Sequence, residues 1–121
     1  MTIKESEQIR DAEFMRDKSK ELIEESVSAT PGRIAEINAE LVAIKSFFAE
    51  KLDNILVFKA ERMKQLRDDL GTGIAAKIEW QSTAEGRNEI IIKGIILRIR
   101  DSISVNKSRL RVKELESYGQ M

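Results

Sequence analysis

Residues 31–70 read PGRIAEINAELVAIKSFFAEKLDNILVFKAERMKQLRDDL, and the periodicity of this stretch decides the fold class. Ile34, Ile37, Leu41, Ile44, Phe48, Leu52, Ile55, Met63, Leu66 and Leu70 keep to one apolar face at three- and four-residue spacing. At about 100° per residue they fall within roughly 120° of a helical wheel, the width of one core-facing stripe. The steps 44, 48, 52 are fours in succession, a stutter that locally relaxes a left-handed supercoil. A helix of this span is on the order of 58 Å long at about 1.5 Å per residue. Such a rod buries its stripe against another rod. Thr30 ahead of it suits an N-cap, and Pro31 suits the first helical position, where a missing N–H costs nothing.

Downstream, Gly71-Thr72-Gly73 predicts a reversal, because glycine supplies the left-handed conformation that ends helices. A connection this short makes the next helix an antiparallel neighbour. That third segment runs from Ile74 to about Tyr118, with Ile74, Ile78, Ile92, Ile95, Ile96, Ile99, Ile103 and Leu110 on its main face. Between Ile78 and Ile92 the same face carries Gln81, Glu85 and Asn88. Two readings fit. Ser82-Thr83-Ala84-Glu85 resembles a capping box, so the helix stops near Trp80 and restarts. Alternatively the helix is continuous, with a polar layer in the hairpin and Gly86 as its weak point. A continuous helix is the expectation, with Lys59 opposite Glu85 as a pair that fixes register rather than adding much stability. The isoleucines at 90–92 and 95–96 have β propensity, but Arg98, Arg100 and Asp101 and the flanking helical period argue against a strand.

Upstream, residues 3–27 carry Ile9, Ala12, Met15, Leu22 and Ile23 at helical spacing, with five bases against eight acids. This thin face predicts a helix that is marginal alone and needs something to lie on. The expected organisation is therefore all-α: an N-terminal amphipathic helix over 1–30, then a long, coiled-coil-like antiparallel hairpin over 31–121 turning at 71–73.

Ile90, Leu97, Val105 and Val112 form a second apolar seam, roughly opposite the main face, with Gly94 among them. Val42, Val57, Phe47 and Phe58 similarly lie off the main stripe of the second segment. A helix apolar on two sides has two partners. The second is another copy of the chain, giving a homo-oligomer, or else the N-terminal helix covers the seam.

The chain has 121 residues, 35% of them charged and 5% aromatic, with one proline and neither cysteine nor histidine. That composition favours helix. It excludes disulfides, thiolate and imidazole metal sites, and Ser-His-Asp or Cys-His catalysis. Gly71-Thr72-Gly73 lacks the GK[ST] that a phosphate loop requires. Asp68-Asp69 and Glu24-Glu25 are adjacent and diverge around a helix, so neither is a catalytic pair. No enzyme, metal or cofactor is expected. No apolar run approaches the roughly 18 residues of a membrane span, and no signal-peptide pattern opens the chain. A soluble cytoplasmic protein with no membrane partner is the expectation.

Bases and acids balance at 21 each, yet they are distributed unevenly. Residues 1–30 sum to −3 and residues 71–121 to +3. Between 87 and 113 lie Arg87, Lys93, Arg98, Arg100, Lys107, Arg109, Arg111 and Lys113, against Glu89 and Asp101 alone. Lys93, Arg100, Lys107 and Arg111 cluster within about 40° of the wheel, and Arg87, Arg98, Arg109 and Lys113 line the other edge of the main face. Repeated around an oligomer, either stripe makes a positive band that attracts phosphate through counterion release. The competing structural reading makes them solvated flanks of a helical seam. Trp80 lies seven residues before Arg87, on nearly the same side. Exposed, it suits stacking on single-stranded bases; buried, it is a packing anchor.

Ala76-Lys77-Ile78-Glu79-Trp80, the run Ile96-Leu97-Arg98-Ile99-Arg100 and the stretch Lys113-Glu114-Leu115 sit in a layout that resembles phage recombination mediators of the UvsY type. The resemblance is one of layout over roughly residues 33–116. It implies a ring-forming protein that binds single-stranded DNA through the bases named above and helps load a recombinase over a single-strand-binding protein. The leading expectation is thus an oligomeric accessory protein that binds single-stranded nucleic acid. The alternatives are a helical protein–protein adaptor or inhibitor of the kind a phage encodes, and a purely structural coiled-coil unit. Exposure of the basic stripes separates the first from the others.

Overall fold

The structure, a computed structural model, describes the backbone of Ile3–Gly119 and the side chains of residues 11–116. Within those limits it is all-helical: α1 (Ile3–Ser26), α2 (Pro31–Leu70), α3 (Gly73–Ser82) and α4 (Ala84–Gly119), with no strand. The place of Ile9 on the face of α1 lies outside the described side chains. No described helix is long and apolar enough to cross a membrane. The chain divides into two compact units, unit 1 of Met1–Ser46 with Leu97–Met121 and unit 2 of Phe47–Ile96.

In unit 1 the stripe of α2 is the core: Ile34, Ile37, Leu41 and Ile44 are buried, joined by Leu22 of α1 and Ile99 of α4. Thr30 caps α2 as the sequence predicts, its Oγ1 accepting the Arg33 N–H at 3.3 Å. Arg33 then reaches back to Glu25 near the end of α1, donating Nε to Oε2 and Nη2 to Oε1. Those hydrogen bonds hold the Glu25 carboxyl below its ordinary range and raise the Arg33 guanidinium. A polar network completes the unit. Asn106 is fully buried and donates Nδ2 to Asn38 Oδ1 at 2.9 Å, while its Oδ1 accepts from Arg109. Arg109 also reaches Ser26 Oγ, and Lys113 donates to the Ala29 carbonyl at 2.8 Å. The end of α1 is therefore tied to the polar edge of the main face of α4. It leaves Leu97, Val105 and Val112 exposed, so α1 does not cover the second seam.

In unit 2, Leu66, Ala76 and Trp80 form a buried cluster with Ile55 and Met63 packed against it. The glycine cap that ends α2 follows the sequence. Gly71 adopts φ +77° and donates its N–H to the Arg67 carbonyl at 2.9 Å, the single-bond left-handed cap. Thr72 then caps α3, its Oγ1 accepting the Ala75 N–H at 3.1 Å.

The continuous third helix is not found. The chain breaks at Thr83, whose extended backbone (φ −75°, ψ 160°) closes α3 and opens α4. Thr83 Oγ1 donates to the Trp80 carbonyl at 2.6 Å and accepts the Gly86 N–H at 3.0 Å. The stop-and-restart that Ser82-Thr83-Ala84-Glu85 suggests is present, with Thr83 rather than Ser82 as the capping residue. Gly86 is not a weak point but a contact point: a Cβ there would lie 1.9 Å from the Trp80 carbonyl oxygen. The break also rephases α3. Ile74 and Ile78, read as main-face residues, are exposed, and Ala76 and Trp80 are buried instead.

Candidate nucleic-acid interface on α4

The break at Thr83 moves the register of the charged pair. Lys59 meets Glu89, one helical turn beyond the expected Glu85, with Nζ 2.9 Å from Oε1. Glu85 is exposed. Glu89 is 5% exposed and accepts three donors: Lys59 of α2, Lys93 of α4 at 2.9 Å and Trp80 Nε1 of α3 at 3.1 Å. Burial pushes this carboxyl up, but the hydrogen bonds from Lys59, Lys93 and Trp80 outweigh it and lower it to about 2. One anion thus ties the three helices of unit 2 together. Its sequence signal was the Glu89-to-Lys93 spacing of four, a favoured helical ion pair.

This geometry rules out the expected role of Trp80 in stacking on bases. The indole is 2% exposed, bonded to Glu89, with Phe58 at 6.0 Å and Lys59 at 5.9 Å from its ring. A ring held this way has no free face for a base. Trp80 is the packing anchor.

The eight bases of the 87–113 run separate into two groups. Lys93, Arg109 and Lys113 have internal work: Lys93 balances Glu89, and the other two hold the end of α1. Arg87 in unit 2, and Arg98, Arg100, Lys107 and Arg111 in unit 1, are exposed. Of these, Arg100 alone has an acidic partner among the described residues, its exposed neighbour Asp101 at 3.4 Å. An exposed pair at that distance contributes little and leaves the guanidinium open to a stronger anion.

In unit 1, Arg100, Lys107 and Arg111 share one edge of the outer face of α4, and Arg98 stands on the other edge. Between them lie Leu97, Val105 and Val112, 46%, 48% and 54% exposed. Ile90 of the same seam, in unit 2, is 57% exposed. Chemically this is a cationic, partly apolar helix face. Such a face is able to attract an anion by charge and to meet a second surface by apolar contact.

No protein-family model matches the chain, and neither a curated protein nor a solved structure matches it.

Proposed function

We propose that this protein is a self-associating helical accessory protein that holds the phosphate backbone of single-stranded DNA along the outer face of α4. The observation that carries the reading is the set Arg100, Lys107 and Arg111 along one edge of the outer face of α4 in unit 1, with Arg98 on the other edge. All four are exposed and, among the described residues, have Asp101 as their one acidic partner. Clustered cations repel one another, and a polyanion that neutralises them gains the entropy of released counterions. The layout resemblance to recombination mediators directs the proposal to single strands and to a role in recombinase loading. With Trp80 buried, the affinity comes from phosphate rather than from stacking on that ring.

The frame for such a face is an antiparallel pairing of α2 with α4. Its support is the short turn at Gly71-Thr72 that ends α2, with α2 meeting α4 through Asn38 and Asn106 within unit 1 and through Lys59 and Glu89 within unit 2. The alternative is a protein–protein adaptor with no nucleic acid. Its support is the exposed seam of Leu97, Val105 and Val112, which a partner helix would cover equally well.

Fluorescence anisotropy on a labelled oligothymidylate tests the choice. Binding should fall steeply with salt. Arg100→Glu with Lys107→Glu should make the log–log salt dependence shallower by about one to one and a half, the share of two lost phosphates. The loss should be the same for every sequence, since phosphate contacts carry no base information. Wild-type protein that ignores single strands at low salt ends the DNA reading and promotes the adaptor.

A further inference from the structure

Unit 2 holds a concavity that the α4 face does not explain. A cavity of about 600 Å³ opens between α2 and α3, lined by Lys59, Lys64, Arg67 and Asp68 of α2 and by Lys77 of α3. Leu56 and Met63 supply its apolar wall. Helical spacing aligns 56, 59 and 63 with 67 along one side of α2, and the tight turn at Gly71-Thr72 brings Lys77 to the same opening. The cations differ in status. Lys59 is engaged by Glu89, whereas Lys64, Arg67 and Lys77 make no ion pair among the described residues. Three cations lining one concave space, with a single carboxylate beside them, give it a net positive charge that attracts an anion.

We infer that this cavity is a binding site for a terminal phosphate or pyrophosphate group, carried by a nucleotide or by the phosphorylated end of a strand. The volume lies within the roughly 300–1,000 Å³ of small-ligand sites, more than one phosphate alone needs. The flexible ammonium groups of Lys64 and Lys77 follow phosphate oxygens as point charges, and the Arg67 fork takes two oxygens together. Leu56 and Met63 leave room beside the phosphates for a sugar or a base. The site shares no residue with the Arg98–Arg111 face. It stands whether or not that face binds DNA.

Titration calorimetry with inorganic pyrophosphate tests the inference on the full chain. The indole N–H resonance of Trp80, the one tryptophan, reports on the site, because Lys59 links the cavity to Glu89 and hence to Trp80 Nε1. Wild-type protein should bind with saturation and shift that resonance. Lys64→Glu combined with Lys77→Glu should weaken binding at least tenfold, while Arg100→Glu combined with Lys107→Glu leaves it unchanged. Both altered pairs are exposed, so circular dichroism should show the same helicity in each variant. Competition assigns the source. Displacement by ADP identifies a free nucleotide; displacement only by a 5′-phosphorylated oligothymidylate identifies a strand end. Absence of saturable binding overturns the site, as does wild-type affinity in the Lys64/Lys77 variant. Equal displacement by an oligothymidylate with a 5′-hydroxyl overturns its preference for terminal phosphate.

Discussion

Glu89 lies on α4 three residues before Ile92, in a position whose burial suits an apolar side chain. A lone carboxylate there would neutralise itself by taking up a proton. The two ammonium groups and the indole N–H reverse that preference, holding it to about 2 from the usual 4.5. The sign follows from linkage. Because the folded-state value is depressed, the contribution is fully present above about pH 4.5 and is lost as pH falls toward 2. A shift of this size corresponds to about 3 kcal/mol. Glu89→Gln should therefore lower the unfolding free energy at neutral pH by about 3 kcal/mol in urea titrations. It should also flatten the acid limb of stability between pH 4.5 and 2. An unchanged acid limb would mean that other carboxylates govern it. Lys59 and Lys93 keep part of their hydration, with side chains 30% and 53% exposed, which places the cost at the low end for a broken buried pair.

At the scale of the element, the corner between α3 and α4 is set by Thr83 and Gly86 together. Thr83 satisfies the Gly86 N–H and reaches the Trp80 carbonyl, and the missing Cβ of Gly86 lets that carbonyl approach. Added carbon at 86 meets backbone, which cannot step aside as a flexible side chain does. Gly86→Ala should destabilise the protein by about 1–3 kcal/mol despite alanine's better helix propensity, which offsets at most about 1 kcal/mol. Thermal unfolding measures this. A stabilised variant would mean that α3 and α4 merge into one helix without penalty. The indole N–H shift of Trp80 should move in the same variant, because Trp80 supplies the crowded carbonyl.

For the whole molecule, the unburied apolar surface bears on self-association. Leu97, Val105 and Val112 recur along α4 in unit 1, and Ile90 precedes them in unit 2. An apolar seam with charged edges is the pattern of a helix that meets another helix, and the proposed oligomer places a second copy there. Leu97→Asp with Val105→Asp should reduce the sedimenting mass while circular dichroism keeps most of the helix signal. Because both residues are half-exposed, the substitutions open no core cavity. A mass unchanged from wild type would remove this seam from the proposed assembly.

The helical class, the extent of α2, its Thr30 cap and the left-handed Gly71 were legible in the sequence, because each depends on residues within a turn or two. The core stripe of unit 1 was legible for the same reason: Ile34, Ile37, Leu41 and Ile44 are spaced by the helix's own period. That Arg98, Lys107 and Arg111 have no acidic partner among the described residues was only an option, since charge runs read alike whether or not a distant acid meets them. Tertiary structure decided the rest. The break at Thr83 depends on how closely the Trp80 carbonyl approaches Gly86, a distance that periodicity does not encode. That break in turn selected Glu89 over Glu85 for Lys59 and buried Trp80. Arg109 and Lys113 were assigned inward by Ser26 and Ala29, more than 80 residues away along the chain. Local pattern states which side chains share a face; only packing against another segment states which of them water still reaches.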